Sequence, residues 1–451
     1  MTLSQRRLLY IFFILLFIVI TPLISLYAAG YSINKNFSIK KTGILIIDTE
    51  PRGAKIYLDG KIQQAFLNKF LAKNQNYIKT PAKIKNLRPG EYDISLELDN
   101  YWTWQKKLTI KPGESTFAED VYLFKNDLPI ILTEGMFNRT TISPNKNYLA
   151  AFATNKAVVI NLNNEKTNTY NPPATGFNAS TSTGIEWSPS GEKLIFSQFV
   201  FNTNEWSAPI NLKSIIGQQK NIKWGDDDNK IFYASGNGIY QYNLNTKINS
   251  TIIKNENINN FFLKNNYLYY IKQSGHATEL NVFSLEEKNN IKKIKLPYSS
   301  YNFLNPNHKL INLYDNSYNI LYLVDPFSDI RPLREAINNI NKTLWIDENK
   351  LLFANDYEIW TFDLNNYKKN LLTRISSKIN KIIWHPNNNY VIYGINNSIN
   401  TIELDDREKH NITSLTKLDI INNLHINKTG DTLYFYSQIR SQKGIYKLSI
   451  Q

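Results

Sequence analysis

The fold of this 451-residue chain is decided by one short stretch, Ile185-Glu186-Trp187-Ser188-Pro189-Ser190-Gly191-Glu192-Lys193-Leu194-Ile195-Phe196. It is typical of an apolar strand, a turn built on proline and glycine, and a second apolar strand. The same frame returns at intervals of about 40 residues, the length of a four-stranded propeller blade. The eight copies have anchor residues at or near Ile142, Trp187, Trp224, Phe262, Leu304, Trp345, Trp384 and Ile426.

Further strands follow most of these copies. A third strand ends near Asp-Leu or Asn-Leu, as in Val158 to Leu162, and a fourth follows, as in Asn370 to Thr373. The sequence therefore predicts an all-β protein in which residues 127–451 form a β-propeller. Eight blades are favoured over seven, which would result if the degenerate copy near Phe262 is not a blade.

The two ends of this region predict how the propeller closes. After Ile426 only two strands fit, Leu433 to Tyr436 and Gly444 to Leu448, so the last blade lacks its outer strand. Before the first anchor, Leu128 to Thr133 has the pattern of such an outer strand. Since pairing it with the last blade would remove two open sheet edges, we expect this N-terminal strand to close the ring.

The frame Trp-Ser-Pro-x-Gly-x-x-Leu-x-Phe, from Trp187 to Phe196, resembles the repeats of TolB-type and WD-repeat-like propellers. The resemblance covers residues 127–451. It implies the fold and is nearly silent on function.

An apolar segment lies near the N-terminus. Leu8 to Ala29 is 22 residues long and carries no charge. A helix of this length spans about 33 Å, enough to cross a hydrocarbon core of about 30 Å. Because Arg6 and Arg7 precede it, the positive-inside rule predicts residues 1–7 in the cytoplasm and the bulk of the chain outside.

We therefore expect a transmembrane signal anchor over 8–29 and a linker over 30–42. A cleaved signal peptide is the alternative. Its apolar region would be shorter than this one, and Ala28 and Ala29 fit the cleavage pattern poorly. Since no second apolar run of this length occurs, the sequence predicts a single-pass protein of the cell membrane.

Residues 43–124 show the period-two alternation of strands, interrupted by turn residues such as Asp59-Gly60 and Pro89-Gly90. The order of short motifs resembles the PEGA domain, a small surface-exposed β-sandwich of bacteria and archaea. The matching pieces are Pro51 to Ala54, Ile56 to Lys61, Thr80-Pro81, Leu87 to Tyr92 and Asn100-Tyr101. The resemblance implies a binding or spacer module of the cell surface, without catalytic residues.

The chain departs from the PEGA pattern at two positions. Arg52 stands where the family has the acidic residue that gives it its name, and Asn100 stands where a glycine is usual. An insertion, Ile62 to Lys79, also separates two of the matching pieces. Its apolar residues fall at helical spacing and predict a short amphipathic helix, lying either on the sandwich or on the membrane surface.

Trp102 and Trp104 leave two interpretations open. Aromatic side chains on a strand pack in the core or across strands if they face inward. If both face outward, they form a stacking platform for a glycan or a peptide. They are therefore the candidate ligand-binding residues.

Composition excludes several classes of function. The absence of cysteine excludes disulfides, thiolate metal sites and cysteine nucleophiles, and the five histidines are scattered. The net charge of +14 is spread thinly, without the basic stripe that nucleic-acid binding needs. The 61 asparagines are expected mainly in turns, where asparagine tolerates left-handed backbone geometry.

Motifs of catalysis are also missing from the sequence, including a Gly-x-Ser-x-Gly elbow, a P-loop and an HExxH helix. Asp226-Asp227-Asp228-Asn229 has calcium-type oxygen ligands, but it replaces a repeat turn and is expected to be a solvated hairpin turn. His308 and His385 are expected to be exposed turn residues. The recurring anchor tryptophans are expected in the core, so we predict no catalytic, cofactor-binding or metal-binding residues.

The resulting prediction is a membrane-anchored, extracytoplasmic, non-catalytic binding or scaffold protein. A PEGA-like module would hold a propeller away from the bilayer and present it to an envelope protein partner. Binding of wall or surface glycan is a second hypothesis. The third is an enzyme with its site in the propeller channel, which converging carboxylates would favour and an apolar or lysine-lined channel would oppose.

Overall fold

The computed structural model describes residues 3–33, 39–64, 77–171, 184–236, 238–254, 258, 260–304 and 309–451. The chain divides into two compact units. The first comprises Met1–Asp127, Glu403–Thr413 and Gln451, and the second comprises Leu128–Ile402 and Ser414–Ile450. That residues 403–413 belong with the N-terminal part was not predicted. Most of the predicted amphipathic insertion (65–76) and His308 lie outside the described residues.

Helix α1 (Leu3–Ala28) contains a stretch, Gln5–Ala28, that is long and apolar enough to cross a membrane. The rest of the protein buries none of this stretch. A short hairpin of β1 (Tyr31–Ile33) and β2 (Ile39–Lys41) follows it. The apolar N-terminal helix predicted from the sequence is therefore present.

The remainder of the first unit contains two sheets with strand orders β5-β4-β7-β8 and β6-β3-β9. Alternate residues along the strands are buried, and together they form one core, which contains Leu45, Ile56, Ile94 and Leu108. The predicted hairpin turn joins β4 to β5, with φ of 48° at Asp59 and 72° at Gly60. The strands are β3 (Gly43–Glu50), β4 (Lys55–Leu58), β5 (Lys61–Ile62), β6 (Ala82–Leu87), β7 (Gly90–Glu97), β8 (Trp104–Ile110) and β9 (Ser115–Tyr122).

The second unit contains eight four-stranded antiparallel sheets within its described residues. Seven are formed by consecutive strands. One short helix, α2 (Leu212–Ile216), follows the last strand of the second of these sheets. The strands of these seven sheets are β11 (Arg139–Ile142), β12 (Tyr148–Ala153), β13 (Lys156–Asn161), β14 (Thr167–Tyr170); β15 (Ile185–Trp187), β16 (Lys193–Phe196), β17 (Phe199–Asn202), β18 (Ile210–Asn211); β19 (Lys220–Trp224), β20 (Lys230–Ser235), β21 (Gly238–Asn243), β22 (Asn249–Lys254); β23 (Phe261–Lys264), β24 (Tyr267–Ser274), β25 (Ala277–Ser284), β26 (Asn289–Leu296); β27 (Tyr301–Leu304), β28 (Ile311–Asp315), β29 (Ile320–Val324), β30 (Leu333–Asn338); β31 (Lys342–Trp345), β32 (Lys350–Ala354), β33 (Glu358–Asp363), β34 (Lys368–Arg374); β35 (Ile379–Trp384), β36 (Tyr390–Ile395), β37 (Ser398–Glu403) and β38 (Ile412–Lys417).

The eighth sheet combines both ends of the unit in the order β10-β41-β40-β39. Its strands are β10 (Ile130–Glu134), β39 (Ile420–Ile426), β40 (Thr432–Ile439) and β41 (Gln442–Ser449). The strand before the first repeat thus pairs with the last strand, Ile130 opposite Lys447. The degenerate repeat near Phe262 forms a sheet of its own, β23 to β26.

Neighbouring sheets of the second unit share apolar clusters. One cluster joins the last sheet to the first and contains Leu149, Val158, Tyr434 and Ile445. The first strands of the sheets also contact one another, β31 with β35, β35 with β39, and β39 with β11. These first strands are the inner strands of a propeller.

Asparagine supplies many of the left-handed turn residues, as expected. Of the 19 described non-glycine residues with positive φ, nine are asparagine. Asn265 and Asn266, for example, form the turn between β23 and β24. The short repeat turns thus use a residue that tolerates this backbone geometry.

Candidate functional site

Strand β8 carries a lysine on its buried face. The burial pattern alternates along the strand, so Lys106 shares a face with Trp104, Leu108 and Ile110. Lys106 is only 3% exposed. Since β8 is an edge strand of its sheet, this is an inward-pointing charge at a sheet edge, a feature that discourages pairing with other chains.

Residues 403–413 supply the partners of Lys106. Its Nζ lies 3.4 Å from Glu403 Oε2 and 3.2 Å from Asp405 Oδ2, and it donates to the Asp405 carbonyl at 2.6 Å. Glu403 Oε2 also accepts from Trp104 Nε1 at 3.2 Å and from Asn411 Nδ2 at 2.8 Å. The buried ammonium is therefore compensated by two carboxylates.

The two carboxylates respond differently to their surroundings. Burial raises the pKa of Glu403, although the charge of Lys106 opposes this change. Burial also acts to raise the pKa of Asp405, but the hydrogen bonds from Arg407 and the charge of Lys106 lower that pKa to about 2. Asp405 is therefore ionised at neutral pH and remains the constant counter-charge of Lys106.

The same segment covers an edge of each sheet. The backbone N–H of Lys107, on β8, donates to Glu408 Oε2 at 2.9 Å. Arg407 Nη1 donates to the carbonyl of Phe117, on the edge strand β9, at 2.7 Å. Unpaired backbone groups at both edges are thus satisfied by charged side chains.

A cleft of about 920 Å³ lies on the outer side of this sheet. Outward-facing residues of β4, β7 and β8 line it on one side, among them Tyr57, Glu97 and Gln105, and residues 408–413 line it on the other. Nearly all of these side chains are polar. The hydroxyl of Ser95, which also lines the cleft, is buried and has no hydrogen-bond partner among the described residues. The cleft therefore offers hydrogen-bonding groups to a polar ligand.

Residues 73–120 match the PEGA domain. The match covers strands β6 to β9, which include the lysine-bearing strand β8. It confirms the resemblance seen in the sequence, and we call the two-sheet part of the first unit the PEGA-like sandwich. No protein of curated function matches the sequence.

Solved structures similar to the chain are of low identity. A crystal structure of a eukaryotic initiation factor has 13% identity over 69% of this chain and 85% of that chain, at a TM-score of 0.49. The Dos1 propeller has 14% identity over 72% and 95%, at a TM-score of 0.49. A mitotic checkpoint complex chain has 12% identity over 72% and 95%, at a TM-score of 0.38. The propeller assignment rests instead on the sheets of the chain itself, and the likeness indicates neither partner nor activity.

Trp102 and Trp104 occupy different environments in the PEGA-like sandwich. Trp104 is 8% exposed and belongs to the core, where its indole N–H reaches Glu403. Trp102 is half-buried, its backbone N–H donates to the Phe124 carbonyl at 2.8 Å, and its indole nitrogen is buried without a hydrogen-bond partner among the described residues. The position of Trp104 follows the core-packing interpretation, so a surface built on both indoles is not favoured.

Arg6 and Arg7 lie in the first turns of α1, before its uncharged part. This placement is the one on which the topology prediction depends. The helix has no other charged residue after Arg7.

His385 is not the exposed turn residue that the sequence predicts. It is 1% exposed, and its Nε2 lies 2.9 Å from the Gly430 carbonyl in the turn of the next repeat. Gly430 permits this approach because a Cβ there would lie 3.0 Å from the imidazole. The prediction failed because the position after the anchor is buried in other repeats too, at Ser143 and Ser188.

The acidic turn of the third repeat behaves as a turn. The Asp227 carboxylate accepts from the backbone N–H groups of Asn229 and Lys230 at 2.8 and 2.9 Å. Asp228 pairs with the hydroxyl of Ser190. In the described parts of the chain, no group of three or more His, Asp or Glu side chains could hold a metal ion.

Two of the four anchor tryptophans, Trp187 and Trp224, lie at contacts between sheets. Trp224 is buried, and its indole donates to the Glu186 carbonyl of the preceding sheet at 3.0 Å. Trp187 likewise donates to the hydroxyl of Thr141 at 3.1 Å. These positions agree with a packing role.

The buried cluster of Lys106, Glu403 and Asp405 was not predicted from the sequence. The signal was a lysine at a core position of the alternating strand Trp104 to Ile110. A second signal was the segment 403–411, in which six of nine residues are Asp, Glu, Arg or Lys. Nothing in the sequence connects segments that lie almost 300 residues apart.

Proposed function

We propose that this chain is a membrane-anchored, extracytoplasmic, non-catalytic binding protein. Residues 1–7 would be cytoplasmic, 8–29 the anchor and 30–42 a linker. The PEGA-like sandwich (43–124) would support the propeller (127–451), which binds an envelope protein partner. The observation that carries the proposal is the order of these parts, an apolar helix followed by a small β module and a large repeat unit.

The inner strands of the propeller argue against the enzyme hypothesis. Catalysis in the channel by carboxylates requires at least two that converge on a substrate. On the eight inner strands the single carboxylate is Glu186, and Lys223 holds it at 2.6 Å. The inner strands contribute lysine and arginine more often than acidic residues.

The proposal is tested by co-sedimentation of residues 31–451 with isolated cell envelopes, before and after protease treatment of the envelopes. A protein partner predicts binding that protease abolishes. Crosslinking then identifies the partner. Absence of binding to untreated envelopes would contradict the proposal.

Binding of wall glycan is the second candidate function, and the polar cleft is the observation that favours it. Its hydroxyl, amide and carboxylate groups suit a ligand rich in hydroxyl groups. Because Trp104 lies in the core, variants of Glu97 and Gln105 test this function better than variants of the tryptophans. The glycan hypothesis predicts binding to protease-treated envelopes. Glu97→Ala and Gln105→Ala should weaken this binding, and the control variant Glu119→Ala, on the other sheet, should leave it unchanged.

A further inference from the structure

The residues at one equivalent position, at or near the start of each inner strand, are basic in half of the sheets and acidic in none. Three of them pair with equivalent residues of the second strand, Arg139 with Phe152, Lys342 with Ala354 and Lys381 with Gly394. The full set around the ring is Arg139, Gly184, Lys220, Asn260, Tyr301, Lys342, Lys381 and Asn422. The sequence therefore places mainly basic and amide residues at this level of the ring.

Four consecutive inner strands bring the positive charge together. Strands β31, β35, β39 and β11 contact one another in that order. At the equivalent position near their starts they carry Lys342, Lys381, Asn422 and Arg139. Equivalent positions on adjacent inner strands are neighbours around the axis, so two lysines stand side by side and an arginine lies two strands further along.

Lys381 has no compensating charge in the part of the chain that the structure describes. No hydrogen bond or ion pair reaches its ammonium group there, although solvent does. Burial lowers the pKa of Lys381. Burial also lowers the pKa of Lys342, and the charges of Lys378 and Lys381 add to this effect, against the charge of Asp356. The two ammonium groups thus repel each other.

The nearest charged and titratable neighbours do not relieve this repulsion. Asp356 is held by Lys378 at 3.1 Å, so its charge is already shared. His425 is buried and bonded to Thr140 at 2.7 Å, and burial together with the charge of Lys381 lowers its pKa to about 3. His425 is therefore neutral at physiological pH and supplies no counter-charge.

We propose that this end of the channel is an anion-binding site, in which Lys342 and Lys381 bind a phosphate-type oxyanion. Two like charges held on neighbouring strands repel each other, and a bound anion relieves that repulsion. Arg139 lies at the same level of the ring, two strands from Lys381. The oxyanion is either free or the diester head group of a lipid or wall polymer.

The test uses the full chain in nanodiscs of zwitterionic lipid, titrated calorimetrically at low salt with inorganic pyrophosphate and, separately, with glycerophosphoglycerol. We expect saturable binding of at least one of them. Lys381→Gln is expected to weaken it about tenfold, as for the loss of one charged hydrogen bond, and Lys342→Gln/Lys381→Gln to abolish it. Lys428→Gln removes the same charge at the other end of β39 and is expected to leave the affinity unchanged.

The preferred ligand distinguishes the source of the anion. Tighter binding of pyrophosphate indicates a free phosphate, and tighter binding of glycerophosphoglycerol indicates a head group. Lack of binding of either ligand would overturn the proposal, and so would equal losses in Lys381→Gln and Lys428→Gln. The melting temperature provides a second readout. Pyrophosphate should raise it for the native chain but not for a folded Lys381→Gln variant.

Discussion

Lys106 of the PEGA-like sandwich and Lys381 of the propeller are both lysines on β-strands, and they differ in burial and in their partners. Lys106 is 3% exposed and lies within 3.4 Å of two carboxylates, Glu403 and Asp405. Lys381 is reached by solvent and has lysine and histidine neighbours, with no ion pair in the described residues.

The difference shows how the environment of a charge indicates its role. A buried lysine with complete partners is part of the structure, because removing one partner leaves a charge that is costly to bury. A lysine beside another lysine, without an acidic partner, does not stabilise the fold. It is therefore better placed to bind an anion than to hold the propeller together.

The largest expected effect is that of Glu403→Gln. It removes the charge that accepts from Lys106 and Trp104, and the buried ammonium keeps only Asp405. We expect the sandwich to lose about 3 kcal/mol of unfolding free energy. Native-state hydrogen exchange of the amides in β7 to β9 measures this loss.

Glu408→Gln is the matched control for that variant. Glu408 accepts only from the exposed backbone N–H of Lys107 in the described contacts, so its replacement should cost less than about 1 kcal/mol. Equal losses in the two variants would show that the burial of Glu403 does not matter.

The next effect concerns His425, which lies between Lys381 and Thr140. Its pKa is lowered to about 3 in the folded state, so the unfolded chain binds a proton first as the pH falls. Stability is therefore complete above about pH 6.5 and decreases below it, by about 2 to 3 kcal/mol at pH 4. The unfolding free energy of His425→Gln, measured with urea at each pH, should lack this decrease. If the unfolding free energies of the variant and the native chain fall in parallel with pH, His425 is not the cause of the decrease.

Asp405 predicts a smaller change in a lower pH range. Its folded-state pKa of about 2 lies below the unfolded value, so it adds stability above about pH 4 that is lost as the pH falls towards 2. Because the side chain is partly exposed, we expect Asp405→Asn to cost about 1 kcal/mol at pH 6. Hydrogen exchange of the β8 amides should show the stability difference between Asp405→Asn and the native chain shrinking as the pH falls to 2.5. A difference that does not change with pH would show that it does not come from the ionised Asp405 carboxylate.

The smallest effect has the opposite sign. Without an anion, Lys381→Gln should raise the stability of the propeller by less than about 1 kcal/mol, because it removes the repulsion with Lys342 and solvent already screens part of it. A differential unfolding experiment in phosphate-free buffer checks this. Destabilisation of the propeller would mean that Lys381 is a structural residue like Lys106.

Much of the fold could be predicted from the sequence. The repeat around Trp187 predicted the propeller, because local strand and turn patterns recur at a fixed interval. The same interval predicted that the strand before Ile142 pairs with the last sheet. The PEGA motifs gave the sandwich for a similar reason. The burial of His385 was missed because a turn residue is exposed only if the neighbouring turn leaves space around it. Here the turn that contains Gly430 packs against the imidazole and covers it.

The candidate site was much less predictable. Trp104 was visible as an aromatic residue, but the hydrogen-bond partner of its indole is Glu403, which lies 299 residues further along the chain. The ring of basic residues was hidden because Arg139, Lys342 and Lys381 are about 40 or more residues apart, and only the closed order of sheets makes them neighbours. Long-range contacts of this kind leave no local pattern.

The most direct test of the proposed function is the accessibility of single cysteines, which the native chain lacks. Ser4→Cys and Ser441→Cys are labelled with a membrane-impermeant maleimide on intact protoplasts or spheroplasts and again after permeabilisation. A membrane-anchored, extracytoplasmic protein predicts that Ser441→Cys is labelled on intact cells and Ser4→Cys only after permeabilisation. The reverse pattern, or recovery of the chain in the soluble fraction, would contradict the account.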